Sequence, residues 1–350
     1  MSSDAPVDTP VPNAAEPFSG APVDVDDRFE PPPDIILRSS DSIDFHCHKN
    51  ILAHVSPFFS DMFGAVSGNQ DIQKDGKAVI PLVEPSTVLY GLLPRVYPAH
   101  TSRDFTLTDP VDLNDICAIH EAANKFQMVR AQVLIEDMLL HSPLLDLHPH
   151  RFFAIGCIRN ITPLIRKAAL CTLRDTTDPV IPFIPEFELI TGNRALELVN
   201  FFQRCALRAQ LIAGNTNSVH HEMLALAEQY HTVITSHEAS GQPFVWWRAD
   251  GHAAQCGPTD EKVGGIWTQE ILPPQWYRNH VRHVANTLRF VPNGATAHSA
   301  AIDVAPAERA AIAACPECAQ YALRDLANFA SQLKKVIEWS NEEIVDTTWE

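Results

Sequence analysis

The chain has 350 residues, 45% of them hydrophobic, and a formal net charge of −17, enough for two or three domains with sizeable cores. The acidic balance, with no Lys/Arg run, excludes a general nucleic-acid binder, which needs a basic patch to displace counterions. Met1–Pro10 has neither the basic nor the apolar stretch of a secretory signal, and no apolar run approaches the roughly 20 residues that span a bilayer.

The expectation is a soluble intracellular protein, nuclear or cytoplasmic, with no membrane or direct nucleic-acid partner. Its eight cysteines are then buried thiols or metal ligands rather than disulfides. Residues 1–33 carry eight prolines and seven acidic residues against the single Arg28. Such a segment buries too little apolar surface to offset its ordering entropy, so a disordered acidic tail is predicted. Residues 34–63 then read as strand, turn, strand and two short helices. Asp34–Leu37 is the first strand, and Ser39–Ser42 is turn chemistry. Ile43, Phe45 and Cys47 share one face of the second strand, with Asp44, His46 and His48 on the other. Ile51, Leu52 and Val55 have helical core spacing. Ser56-Pro57 ends that helix and opens the next, which carries Phe58, Phe59, Met62 and Phe63.

The order Asp34, Phe45, His48-Lys49, Leu52, Ser56-Pro57-Phe58-Phe59, Met62-Phe63 resembles the opening of a BTB/POZ domain. Further along, Lys77–Leu82 reads as a strand, Pro85 opens a helix through Leu93, and Pro94 ends it. A helix over about Leu113–Phe126 places Ile116, Ile119, Ala123 and Phe126 on one stripe. The next, over about Val129–His141, is expected to turn Val133, Leu134, Met138 and Leu139 inward. The resemblance extends to about residue 142 and implies an α+β fold, a small sheet clasped by α-helical hairpins, over 34–142.

A helical extension over 143–240 follows, with helices at Arg151–Ile158, Pro163–Arg174, Arg194–Ala213 and about His220–Glu238. The region 241–350 is expected to be rich in loops around Trp246, Trp247, Trp267 and Trp276 before a long amphipathic helix over Pro316–Trp339. The carboxyl-terminal part is thus expected to be mainly α-helical, and the overall arrangement, an acidic tail, one BTB/POZ domain and a long carboxyl-terminal extension, resembles the fungal, basidiomycete-like BTB proteins.

The resemblance implies a non-enzymatic protein–protein interaction module that homodimerises or recruits partners as an adaptor or scaffold. Asp34 and Lys49 match positions that place opposite charges near a dimer groove. The first strand and helix, with Asp34, Ile36, His48, Lys49, Leu52, Val55, Phe58 and Phe59, form the expected partner or dimer surface. A cullin-type ubiquitin-ligase adaptor is the alternative. Such adaptors often carry an apolar-x-Glu motif in the loop after Phe63, where this chain has Val66-Ser67-Gly68-Asn69.

Two cysteine patterns invite metal chemistry. His46, Cys47 and His48 alternate along a strand, so the cysteine points away from both histidines and the set cannot converge. Cys315-Pro316-Glu317-Cys318 places Cys315 at a helix N-cap and Pro316 at N1, where backbone N–H groups lower a thiol pKa. His252 and Cys256, four apart, are the natural complement and would give a Cys₃His zinc site, with His280 or His283 as substitute donors. Two other readings stay open for Cys315 and Cys318: buried structural thiols and a CxxC thiol oxidoreductase, which would require a βαβ context. GxSxG, HExxH and phosphate-loop motifs are absent; His220-His221-Glu222 lines no obvious pocket. Enzyme activity is not expected.

Overall fold

Four short strands hold the amino-terminal half together. β1 (Ile35–Arg38) pairs antiparallel with β2 (Asp44–Cys47), Leu37 opposite Phe45, and parallel with β4 (Lys77–Pro81), Leu37 opposite Ile80. β3 (Gln73–Lys74) closes the other flank against β4, giving the order β2-β1-β4-β3. The β3–β4 link is Asp75-Gly76, both at positive φ (51° and 74°), the two-residue hairpin turn that matches strand twist. The computed structural model describes residues 11–16, 18–20, 32–65, 72–97, 113–174, 184–214, 240, 244–248, 252–253, 256 and 273–349. The chain divides into two compact units, Met1–His141 and Ser142–Glu350.

In the first unit, α1 (Lys49–Val55) and α2 (Pro57–Ala65) form one hairpin, broken at Ser56-Pro57 as the proline requires. The buried Ser56 hydroxyl accepts from the Phe59 N–H (3.1 Å) and donates to the Phe126 carbonyl (2.6 Å). One side chain therefore caps α2 and ties it to the helix that precedes Phe126. α3 (Ser86–Leu92) ends in a 3₁₀ turn at Pro94. α4 (Leu113–Lys125) and α5 (Val129–Leu140) form a second helical pair. Ile116, Ile119, Ala123 and Phe126 are buried on the predicted stripe. On α5 Leu139 is buried as expected, but its buried companions are Ala131 and Ile135, whereas Val133 and Leu134 are 58% and 40% exposed. The helix is apolar on two sides, and only its partner decides which side is inside.

The tail expectation fails over residues 11–20. Asp44 N–H donates to the Pro12 carbonyl (3.0 Å), Ala14 N–H to the Asp44 carbonyl (2.8 Å), and His46 N–H to the Phe18 carbonyl (3.0 Å). Phe18 is 1% exposed, set against Phe45 and edge-on to Tyr97. The segment covers the open edge of β2, whose backbone groups would otherwise lack strand partners. This pairing and one buried aromatic ring offset the ordering entropy that composition alone makes prohibitive. It also explains why all four β2 residues are buried rather than alternate ones. Gly20 sits at φ +73 over the His46 ring, where a Cβ would lie 2.6 Å from ring atoms, so no other residue fits that crossing.

Asp44 fastens the same region through its side chain. Its buried carboxylate receives Arg38 (2.6 and 2.9 Å) and Lys74 Nζ (2.9 Å), and Lys74 also donates to the Val11 carbonyl and Asn13 Oδ1.

The second unit contains α6 (Leu144–Leu147), α7 (Pro149–Arg159), α8 (Thr162–Thr172), α9 (Gly192–Ile212), α10 (Gln275–Leu288), α11 (Gly294–Ile302), α12 (Pro306–Ala313) and α13 (Pro316–Thr348). The predicted helix at His220–Glu238 lies outside the described residues. The region from 273 onward is not loop-rich: three helices precede α13, which is itself longer than predicted. Nor is residue 240 a boundary, because α13 packs on α8, α9 and α11 within one unit. Its stripe Ala322, Leu326, Phe329, Leu333, Val336 and Ile337 is buried as the spacing predicts, and continues through Ile344 and Val345. The end of α13 is clamped where Arg166 donates to the Trp349 carbonyl (3.0 and 2.7 Å) and the Trp349 indole donates to Glu197 (3.1 Å).

Replacing Asp44 with Ala leaves Arg38 and Lys74 without their shared anion. Because both cations retain solvent, the loss is expected at about 2–4 kcal/mol, read as a lower chemical-denaturation midpoint. Acid should act at the same places. Two Ser86 donors and the Ser39 hydroxyl hold Asp41 at about 2. Burial raises the Asp44 pKa, but Arg38 and Lys74 outweigh it and lower it overall. A carboxylate whose folded pKa is depressed adds stability above its unfolded value near ~3.9 and loses it below. Melting temperature is therefore expected to fall from about pH 4 towards pH 2, with a shallower slope in Asp41→Asn.

Candidate interaction surface and metal centre

In the carboxyl-terminal unit, Cys315 is the N-cap of α13 and Pro316 its first residue, so the helix start points Cys315 and Cys318 to one side. A 3₁₀ turn at Val245–Trp247 brings His252 and Cys256 against them. Val245 N–H donates to the buried Asp325 carboxylate (2.8 Å), which anchors the turn on α13. Trp246 stacks on Tyr277 (4.5 Å, 15°) and Phe244 (4.9 Å, 28°), and meets Trp276 and Phe329 edge-on. The side chain of Trp247 and all of Trp267 lie outside the described residues.

The ligand atoms of His252, Cys256, Cys315 and Cys318 all lie within 4.8 Å of one another. Cys256 Sγ is 3.5 Å from Cys318 Sγ, and His252 Nδ1 is 3.6 Å from Cys315 Sγ and 3.5 Å from Cys318 Sγ. The other ring nitrogen, Nε2, is 3.0 Å from the Val245 carbonyl. Ala253 N–H donates to Cys315 Sγ (3.5 Å). Burial pushes the Cys315 thiol up, but the Cys318 and Ala253 N–H groups, with His252 and Cys256, bring it down to about 6. Burial raises Cys256 and Cys318. Neither substitute donor joins the set: His280 is buried against the Ala301 carbonyl (2.8 Å), and His283 is exposed.

The predicted interaction residues of the first unit separate into two groups. Ile36, Leu52 and Phe59 are at most 1% exposed and fill the core, so they cannot touch a partner. Ile51, Val55, Phe58, Met62 and Phe63 are only half-buried. The Asp34 carboxylate accepts the Lys49 backbone N–H (2.8 Å) and so satisfies the start of α1. His48 is structural, its N–H donating to the Tyr97 hydroxyl (2.9 Å). Cys47 is buried, its thiol pushed up to about 12, and no metal set forms around it among the described residues.

Residues 28–143 match the family model of the BTB/POZ domain, and the strand–helix order and hairpins above are those the resemblance implied. This chain carries a BTB/POZ domain. A search of curated proteins returned no match to it. BTB/POZ domains are protein–protein interaction modules, and the half-buried apolar face of α1–α2 belongs to this domain. The loop with Val66–Asn69 lies outside the described residues, and so does His220-His221-Glu222. No described helix is long and apolar enough to cross a membrane.

Sequence reasoning missed Phe18, Tyr97 and Asp325, and expected loops around Trp276, which lies buried on α10. A buried acid beside Arg324 on an otherwise apolar helix face was the signal for Asp325. Asp325→Ala leaves the Val245 N–H without its acceptor, which is expected to lower stability by about 1–3 kcal/mol. Denaturation followed by tryptophan fluorescence checks it, since Trp246 belongs to the same turn.

Proposed function

We propose that the chain is a non-enzymatic scaffold that works as a homodimer, its BTB/POZ domain joining a second copy across the α1–α2 face. The observation that carries this is the split between neighbours on those helices. Leu52 and Phe59 complete the core, while Ile51, Val55, Phe58, Met62 and Phe63 leave apolar surface half-exposed. A face that meets its own copy about a two-fold axis must be self-complementary, and an apolar one satisfies that without charge matching. A stable interface of this kind buries about 1,200–2,000 Å² in total. The carboxyl-terminal helical unit is then free to hold a second partner.

A second apolar surface supports the adaptor reading. Val129, Val133 and Leu134 stand 66%, 58% and 40% exposed on α5, a stripe that suits a helical protein partner such as a cullin. The thiol-oxidoreductase reading has less support. Cys315 and Cys318 are 0% exposed, and dithiol exchange needs an accessible thiolate.

Light scattering on the full chain is expected to give the dimer mass, and Val55→Asp with Phe58→Asp to give a folded monomer. Val129→Asp with Val133→Asp is expected to remain dimeric while losing a cullin partner in a pull-down. A wild-type monomer over the micromolar range would overturn the dimer reading. A full chain that binds no cullin would remove the adaptor.

A further inference from the structure

We propose that His252 Nδ1 and the sulfurs of Cys256, Cys315 and Cys318 bind one zinc ion, which fastens His252 and Cys256 to the start of α13. The four donor atoms lie within 4.8 Å of one another, and three of their separations are those of a coordination shell. Zinc bonds of about 2.3 Å to sulfur and about 2.0 Å to nitrogen set tetrahedral edges of about 3.5–3.8 Å. Three of the six donor separations fall there: Cys256–Cys318 at 3.5 Å, His252–Cys315 at 3.6 Å and His252–Cys318 at 3.5 Å. A disulfide would require about 2.05 Å, and packing alone gives no reason for three thiols and an imidazole to converge from two segments far apart in the chain.

The surroundings fit a charged thiolate site. Three thiolates with one divalent ion carry a net charge of −1, and backbone donors face it: Ala253 N–H points at Cys315 Sγ. The Trp276 indole N–H is buried without a regular hydrogen-bond partner and lies against Cys256 and Cys318. His252 Nε2 meets the Val245 carbonyl, the outer contact that fixes a ligating histidine's tautomer and leaves Nδ1 free for the metal. Sulfur-rich tetrahedral donors select zinc or iron over calcium and magnesium. With four protein ligands and three buried sulfurs, the shell leaves no open position, so the site is structural rather than catalytic. Binding displaces to solvent the protons that the thiols still hold.

The test is elemental analysis and native mass spectrometry on the full chain, purified without chelator. One zinc per chain is expected, with reduced cysteines in the denatured mass. Cys256→Ser with Cys318→Ser should lose the zinc, whereas Cys47→Ser and Cys205→Ser should keep it. Since the double variant could simply unfold, His252→Cys provides a second arm: four sulfurs should still hold one zinc. Cobalt exchanged into the wild-type chain should give the intense visible bands of a tetrahedral thiolate complex, shifted in His252→Cys. Folded wild-type chain that takes up no zinc overturns the proposal. So do iron in place of zinc, a Cys256–Cys318 disulfide, or zinc retained by the double variant. None of these outcomes bears on the BTB/POZ dimer, which is read separately by mass.

Discussion

Strands of two to five residues leave much of a sheet's flank to be satisfied from elsewhere, and in the amino-terminal unit Asp44 is where that happens. Its backbone N–H and C=O pair with Pro12 and Ala14, while its carboxylate draws in Arg38 from β1 and Lys74 from β3. Lys74 then reaches back to Val11 and Asn13. One acidic residue thus joins three strands and the edge-covering segment. A buried ion set of this kind adds little net stability, because desolvation opposes its Coulomb gain. What it adds is register: a one-residue slip of β2 would put Phe45 where Asp44 must be and leave two cations without a partner.

The carboxyl-terminal unit solves a different problem. Its elements are helices, whose backbones are internally satisfied, so the demand falls on apolar faces and on helix ends. α13 meets both. Its stripe from Ala322 to Val345 gives α8, α9 and α11 a common surface to pack on, and its two ends are fastened by polar groups. Arg166 and Glu197 hold Trp349 at one end. At the other, Asp325 and the Cys315/Cys318 start hold the turn that carries Trp246.

What could be read from the residues tracks how local each cause is. The β1–β2 hairpin, the α1–α2 break and the α13 stripe were legible because turn residues, Ser56-Pro57 and a four-three spacing act within a few positions. β3 was missed although Asp75-Gly76 is a strong hairpin signal; a two-residue strand is too short to show alternation. α10 to α12 were missed because glycines and tryptophans upstream drew the eye to loop composition, while Trp276, Val284 and Leu288 kept a helical spacing. The burial of Phe18 and the exposure of Val133 were not legible at all. Each depends on a surface contributed by a distant segment, which neither composition nor period reports.

The two cysteine–histidine patterns show the same rule at the level of chemistry. His46, Cys47 and His48 are adjacent in sequence, yet an extended backbone sends alternate side chains to opposite faces. His46 ends under Gly20, Cys47 in the core and His48 against Tyr97. Cys315 and Cys318, three apart at a helix start, fall on one side, because Cys315 is still extended while the first turn swings Cys318 beneath it. Half of the candidate site is therefore set locally. The other half, His252 and Cys256, is brought in by the aromatic stack of Trp246 on Tyr277 and by Asp325, none of which is a ligand. Spacing can nominate donors, but convergence rests on the core that positions them.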